Sequence, residues 1–163
     1  MLFRSNQGVE LAGRVDLFRD IAGAGVGDRL TLGQVWTFND FRFRGDRQFG
    51  DNRIAGLPPH VLRTTLTYAR PEGLFVAPNL DWVPQGAWAD YANTLRANAY
   101  ATIGLEAGLV AAPGVSLFLD ARNLTNKRYV SDLTTITDAR RVGSNVFYPG
   151  EGRSLYVGAR AAF

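Results

Sequence analysis

The stretch GRSLYVGARAAF, residues 152–163, decides the fold. Leu155, Val157, Ala159, Ala161 and Phe163 fall on every second position, and Ser154, Tyr156, Gly158, Arg160 and Ala162 stand between them. Period two is the signature of a β-strand, whose side chains alternate between two faces. Here one face stays apolar to the final residue, an aromatic with no polar tail after it. A soluble strand rarely ends a chain on an exposed Phe. An apolar face turned to lipid and a mixed face turned to water account for the pattern.

The same alternation recurs upstream. Residues 8–18 put Val9, Leu11, Val15 and Leu17 on one face and Glu10, Ala12, Arg14 and Asp16 on the other. In residues 29–44, Leu30, Leu32, Trp36 and Phe38 share a face that Gln34 interrupts. Phe41 and Phe43 sit on the opposite parity, which predicts a bulge shifting the register there. Leu62, Thr64, Leu66 and Tyr68 line up in residues 61–70. Leu74, Val76, Leu80 and Trp82 line up in residues 74–82, where Pro78 weakens the strand locally. Residues 94–109 alternate most clearly, from Leu95 and Ala97 to Leu109 against Arg96, Tyr100 and Glu106. Val115, Leu117, Leu119 and Ala121 alternate with Ser116, Phe118, Asp120 and Arg122.

Seven strands result, and their connections run medium, long, short, long, short, long. The long loops cover residues 45–60, 84–93 and 129–151. Membrane barrels place short turns at one end and long loops at the other. The expectation is an all-β fold: an antiparallel up-and-down transmembrane β-barrel segment of about seven strands, incomplete as a barrel on its own. Glu10, Arg14, Asp16, Arg96, Glu106, Asp120, Arg122 and Arg160 lie opposite the apolar sets. In lipid each would cost about 2–4 kcal/mol near the midplane, whereas a wet lumen lets them pair across strands. A small soluble barrel with the faces reversed is the other arrangement; strand length and loop asymmetry favour the membrane.

Composition closes other routes. With 163 residues the chain is one domain, and without cysteine it has neither disulfides nor thiolate metal sites. A net charge of +3, spread along the sequence, gives no footprint for nucleic acid. No apolar run approaches the roughly 20 residues of a membrane helix, a test blind to barrels. The GAGVG of residues 22–26 precedes a strand, not a helix, which removes the dinucleotide reading. His60, the only histidine, has no triad or metal partner in sequence. The aspartates of residues 45–52 lack the calcium-loop spacing. No catalytic residue, cofactor or metal site is therefore expected.

The segments DARNLTNKRY (residues 120–129) and FYPGEGRSLYVGARAAF (residues 147–163) resemble the barrel end of TonB-dependent outer-membrane receptors. The residues that carry the likeness are Asn123, Leu124, Lys127, Tyr129, Tyr148, Pro149, Gly150, Arg153 and Phe163. Weaker matches follow in the family's order: NQGVEL at residues 6–11, GLPPH at residues 56–60 and DYANT at residues 90–94. Physically, Asn123 and Asn126 suit a strand exit, and Tyr129 and Tyr148 suit a membrane–water interface.

The resemblance implies that residues 1–163 are the C-terminal part of a receptor barrel, with the plug domain absent, in the bacterial outer membrane. Residues 1–6 carry no export signal, which fits a piece of a longer chain. The intact receptor would take up a ferric siderophore or similar metal chelate, energised by the TonB complex acting through the absent plug. Implied partners are outer-membrane lipid, the rest of the receptor chain (plug and N-terminal strands), the barrel assembly machinery and the metal-chelate ligand. Tyr156 and Phe163 match the terminal assembly signal. Arg47, Arg53, Arg140 and Arg141 suit an anionic chelate, and Trp88 and Tyr91 suit stacking on it. The rivals are a complete small outer-membrane barrel and a lipocalin-like soluble carrier. Seven strands alone leave open edges in hydrocarbon, so the chain expressed by itself is expected to aggregate; a detergent-stable monomer resistant to unfolding would contradict that.

Overall fold

The computed structural model describes residues 3–141 and 145–162. Among the described residues nine strands form in order: β1 (Phe3–Arg19), β2 (Arg29–Arg44), β3 (His60–Ala69), β4 (Phe75–Val83), β5 (Tyr100–Ala112), β6 (Val115–Arg122), β7 (Val130–Leu133), β8 (Phe147–Pro149) and β9 (Ser154–Ala161). Seven of them make one antiparallel sheet, ordered β1-β2-β3-β4-β5-β6-β9. This is an up-and-down wall that does not close, with β1 and β9 as its margins. β7 and β8 pair separately, as a hairpin inside the loop between β6 and β9. Among the described residues no helix is long and apolar enough to cross a membrane.

Register fixes the two faces. Leu11, Trp36, Leu62, Trp82 and Ala101 lie in one row across five strands. Two residues along, Gln34 meets Thr64 in the same set, and the Thr64 hydroxyl donates to Gln34 Oε1 at 2.6 Å. The apparent flaw in the apolar face is thus a satisfied pair. These side chains converge on no dry centre: Leu11 and Trp82 remain 56% and 45% exposed. On the other face Arg63 reaches Asp81 at 3.8 Å and Glu106 at 3.3 Å, and Thr31 donates to Asp16 at 2.8 Å. Uncovered apolar rows against a paired ionic face are the layout of a membrane wall, not of a lipocalin-like carrier.

Two expectations need correction. The bulge lies in β1, between Asp16 and Phe18, and β2 keeps one register through Phe43. Phe41 and Phe43 change parity because the strand has risen above the apolar rows. There Phe43, only 2% exposed, serves a core under the loops, against Phe49 and Tyr91. Residues 94–99 are not strand: β5 begins at Tyr100. The Asp90 carboxylate takes the amides of Thr94 and Leu95, and Ala97 bonds back to Ala87, which bends that segment into the loop. Pro78 stays in β4, paired with Leu105, while the β3–β4 ladder skips its position.

On the ionic face the Phe118 ring covers Gly158 on the neighbouring strand, where any Cβ would strike it. A glycine that accepts a cross-strand ring loses no packing by lacking a side chain. Gly158→Val should cost about 1–3 kcal/mol in urea unfolding of the vesicle-reconstituted protein, and adding Phe118→Ala should recover most of it. Equal costs in single and double variants would show that the ring is not what fills the site.

Candidate functional site

Strand polarity gathers residues 45–59, 84–99, 123–141 and 145–153 at one end of the sheet. The turns at residues 20–28, 70–74 and 113–114 gather at the other. The long loops lock together through hydrogen bonds from side-chain amides and from backbone to one another's backbone. Asn93 exchanges two bonds with the Arg53 backbone, and Asn52 Nδ2 donates to the Tyr91 carbonyl at 3.0 Å. Gly56 N donates to the Trp88 carbonyl, and Asp90 bridges Ile136 in parallel.

Asp90 is the centre of this crown. Its carboxylate is fully buried and accepts the Thr94, Leu95 and Ala139 amides at 2.8, 3.0 and 3.1 Å, together with the Thr94 hydroxyl. Burial pushes the group upward, but these donors outweigh it and hold it below the usual carboxylate range. Asn123 closes the longest loop. Its φ of 46° turns the chain as β6 ends, and its amide holds the Lys127 and Glu151 carbonyls, both at 2.9 Å. Asn126 Oδ1 accepts Arg153 N at 3.1 Å. Tyr129 lies over Gly150 and against Tyr100 at 4.4 Å.

The residues singled out in sequence separate into two groups. Arg140 and Arg141 are exposed and ion-paired to Asp138 at 2.8 and 3.8 Å. They border a depression of about 350 Å³ with Gln48, Phe49, Ala92 and Thr137. Tyr91 stands 5.8 Å from Phe49, in the aromatic cluster beneath the loops. Arg47 is exposed on the same loop as Gln48 and Phe49. Arg53 instead holds Asp40 at 3.2 Å and the Asn39 carbonyl. Trp88 lies beneath Arg96, whose guanidinium carbon is 4.9 Å from the ring centroid, and Arg96 Nε is fixed by the Gly86 carbonyl. Arg96 therefore belongs to the crown and not to the wall's ionic face. Tyr156 donates to Glu151 at 2.7 Å from β9, and Phe163 lies outside the described residues.

Sequence reading marked the DYANT stretch that holds Asp90 and Asn93 but gave neither an anchoring role, and it passed over Asp138. Asp-x-x-x-Thr before an alternating run was the available signal for the first. A second cavity, about 270 Å³, lies on the ionic face below the crown, bordered by Arg63, Asp81, Glu106, Asp120, Arg122 and Glu151. Among the described residues no group of three or more His, Asp or Glu is placed to hold a metal ion. The arrangement offers a wet, charged wall and an arginine-flanked rim.

Asp138 gives the rim its pH response. The hydrogen bond from Arg140 holds its carboxyl down, from 3.8 to about 2. A carboxylate depressed by folding stabilises above its unfolded value and loses that contribution as pH falls through the folded one. Asp90 acts in the same direction. Amide protection factors at Ala139 and Arg140 should hold from neutrality to about pH 4 and fall between about pH 4 and pH 2; a collapse already complete at about pH 5 would contradict this.

A family model described as TonB dependent receptor-like, beta-barrel, matches residues 4–124. Among solved structures, the ferric yersiniabactin uptake receptor FyuA from Yersinia pestis superposes with a TM-score of 0.75 at 19% identity, covering 98% of this chain and 24% of that one. The siderophore receptor PiuA from Acinetobacter baumannii gives 0.71 at 19% identity, covering 96% and 21%. These likenesses establish the fold, and the chain spans less than a quarter of the length of either receptor. No curated protein sequence matches.

Proposed function

This chain belongs to the TonB-dependent receptor-like β-barrel family, and from that premise we propose that it forms part of the wall of an energy-coupled uptake receptor in the bacterial outer membrane. The family and both structural neighbours are transport receptors, not enzymes. Residues 1–163 are the C-terminal part of the barrel domain. Remaining strands complete the wall, a plug fills the lumen, and the TonB complex supplies work through that plug. The barrel assembly machinery inserts the whole chain, with Tyr156 and Phe163 in its terminal signal. The cargo is a ferric siderophore or similar metal chelate.

The carrying observation is the pairing of an ionic wall with a crown of interlocked loops at one end only. A solute too large for diffusion must be held there before it passes inside. Arg140 and Arg141 supply positive charge for an anionic chelate, Arg47 adds to it from the neighbouring loop, and Tyr91 with Phe49 offers aromatic surface below. Arg53 and Trp88 keep those loops in place.

The test is uptake of iron-55 by cells bearing the complete receptor, offered catecholate, hydroxamate and carboxylate chelates in turn. At least one should accumulate, and accumulation should cease when the inner-membrane proton gradient is collapsed. Arg140→Ala with Arg141→Ala should weaken binding about tenfold, as expected for two charge-assisted contacts at an exposed rim. Gradient-independent entry of every chelate would overturn the proposal.

A further inference from the structure

Above the apolar rows, on the outward face where β2 meets its returning loop, stands a group of arginines outside the depression that Arg140 and Arg141 border. Parity carries the outward face from Trp36 and Phe38 to Asp40, Arg42 and Arg44 without a register shift. Beyond Phe38, β2 pairs with the returning loop: Ile54 N donates to the Phe41 carbonyl, Phe43 N to that of Asn52, and Arg53 comes directly opposite Arg42. Like charges facing each other across strands repel.

One acid offsets this. Asp40 takes Arg42 Nε at 2.7 Å and Arg53 at 3.2 Å, and Arg44 also acts on it. Asp46 and Asp51, near in sequence, are committed elsewhere: Asp46 accepts the Gln48 and Phe49 amides, and Asp51 the Gly45 amide. Neither forms an ion pair with the three arginines. Two guanidiniums share this carboxylate, and Arg44 stands two residues beyond Arg42 on the same face, so the three are left short of anionic partners.

Directly below lies an aromatic group at the top of the apolar rows. His60 stacks on Phe38 at 5.1 Å and on Trp36 at 5.9 Å, and Trp36 Nε1 donates to His60 Nδ1 at 3.2 Å. Amphipathic rings of this kind settle at the headgroup level of a bilayer. The arginines one step higher then meet headgroups and not acyl chains. Guanidinium forks match the paired oxygens of a phosphate, the anion that lipid headgroups carry.

We propose that Arg42, Arg44 and Arg53 form a binding site for the phosphate of an anionic lipid headgroup, in the leaflet on the loop side of the barrel. The site rests on the membrane-wall reading above. Asp40 spaces the arginines and competes with the phosphate for them.

The test uses the complete receptor in nanodiscs of phosphatidylcholine, doped with a bisphosphorylated acyl-disaccharide lipid or the same lipid after phosphatase treatment. Native mass spectrometry reads the lipid retained, and heat-modifiable migration confirms a folded barrel. The wild type should retain the phosphorylated form preferentially. Arg42→Gln with Arg44→Gln should lower retention about fivefold per arginine removed, the effect of one basic residue at an anionic surface. Asp40→Asn should raise it, an arm that stands even where the arginine variant folds poorly. Equal retention of the two lipid forms in a folded barrel, or unchanged retention in the arginine variant, would overturn the site alone. Displacement by millimolar inorganic phosphate would assign it to a soluble anion and overturn the lipid. Failure of the wild type to insert as a barrel would remove the wall reading and this site with it.

Discussion

Arginine in place of Leu80 destabilises the receptor by about 2–4 kcal/mol, while arginine in place of Thr65, on the opposite face, costs under about 1 kcal/mol. Leu80 sits between Thr64 and Ile103 in the row that also holds Gln34. That row lies between outward aromatic levels: Trp36 and Trp82 stand one row toward the loops with Phe38 beyond them, and Phe18 and Tyr68, both opposite Leu30, stand two rows toward the turns. From Leu30 to Phe38 the strand covers roughly 27 Å, about 20 Å along the membrane normal after a tilt of about 40°. A guanidinium at Leu80 therefore starts about 10 Å below the Phe38 level, in hydrocarbon, and must bend toward the loops or thin the bilayer to be hydrated. Thr65 borders a polar trough with Asp16, Arg63 and Glu106, where another cation finds carboxylates. Reversible urea unfolding in phospholipid vesicles measures both. Equal costs would mean that Leu80 does not face lipid, and the membrane wall would fall with it.

What made the wall legible in sequence was its alternation, because a strand between lipid and water has to obey period two along its whole membrane span. Leu155 to Ala161 and Val115 to Ala121 were therefore readable to the residue. The loops obey no such rule. Phe41 and Phe43 looked like a register slip, since nothing in the sequence marks where β2 passes the apolar rows and begins packing against its own loop. Leu95, Ala97 and Ala99 kept the alternation of β5 while belonging to the crown, because one buried carboxylate outbids the ladder for their neighbours' amides. β7 and β8, at four and three residues, are too short to show a period. Arg53 and Trp88 drew notice as exposed ligand contacts by residue type alone. Their partners, Asp40 and Arg96, lie 13 and eight positions away in sequence, and only the folded loops bring them together.

Asp90→Ala should release the crown without unfolding the wall. The substitution strips three backbone amides and one hydroxyl of their acceptor. Each group left buried and unpaired costs about 1–3 kcal/mol. That sum exceeds what a loop tip can hold, so the segment around Ala139 should detach and find water instead. Protection at Ala139, Thr94 and Leu95 should drop at least a hundredfold, while the β3 and β4 amides stay unchanged, because the sheet's ladders do not pass through Asp90. Asp90→Asn keeps one acceptor oxygen and should lie between. Since Arg140 and Arg141 are carried by the same segment, affinity for the chelate should fall with Asp90→Ala by more than the roughly tenfold expected from removing both arginines: their positions are lost together with the depression they border. Should protection at Ala139 survive the alanine variant, the loops are held by their backbone bonds alone, and Asp90 is a buried bystander.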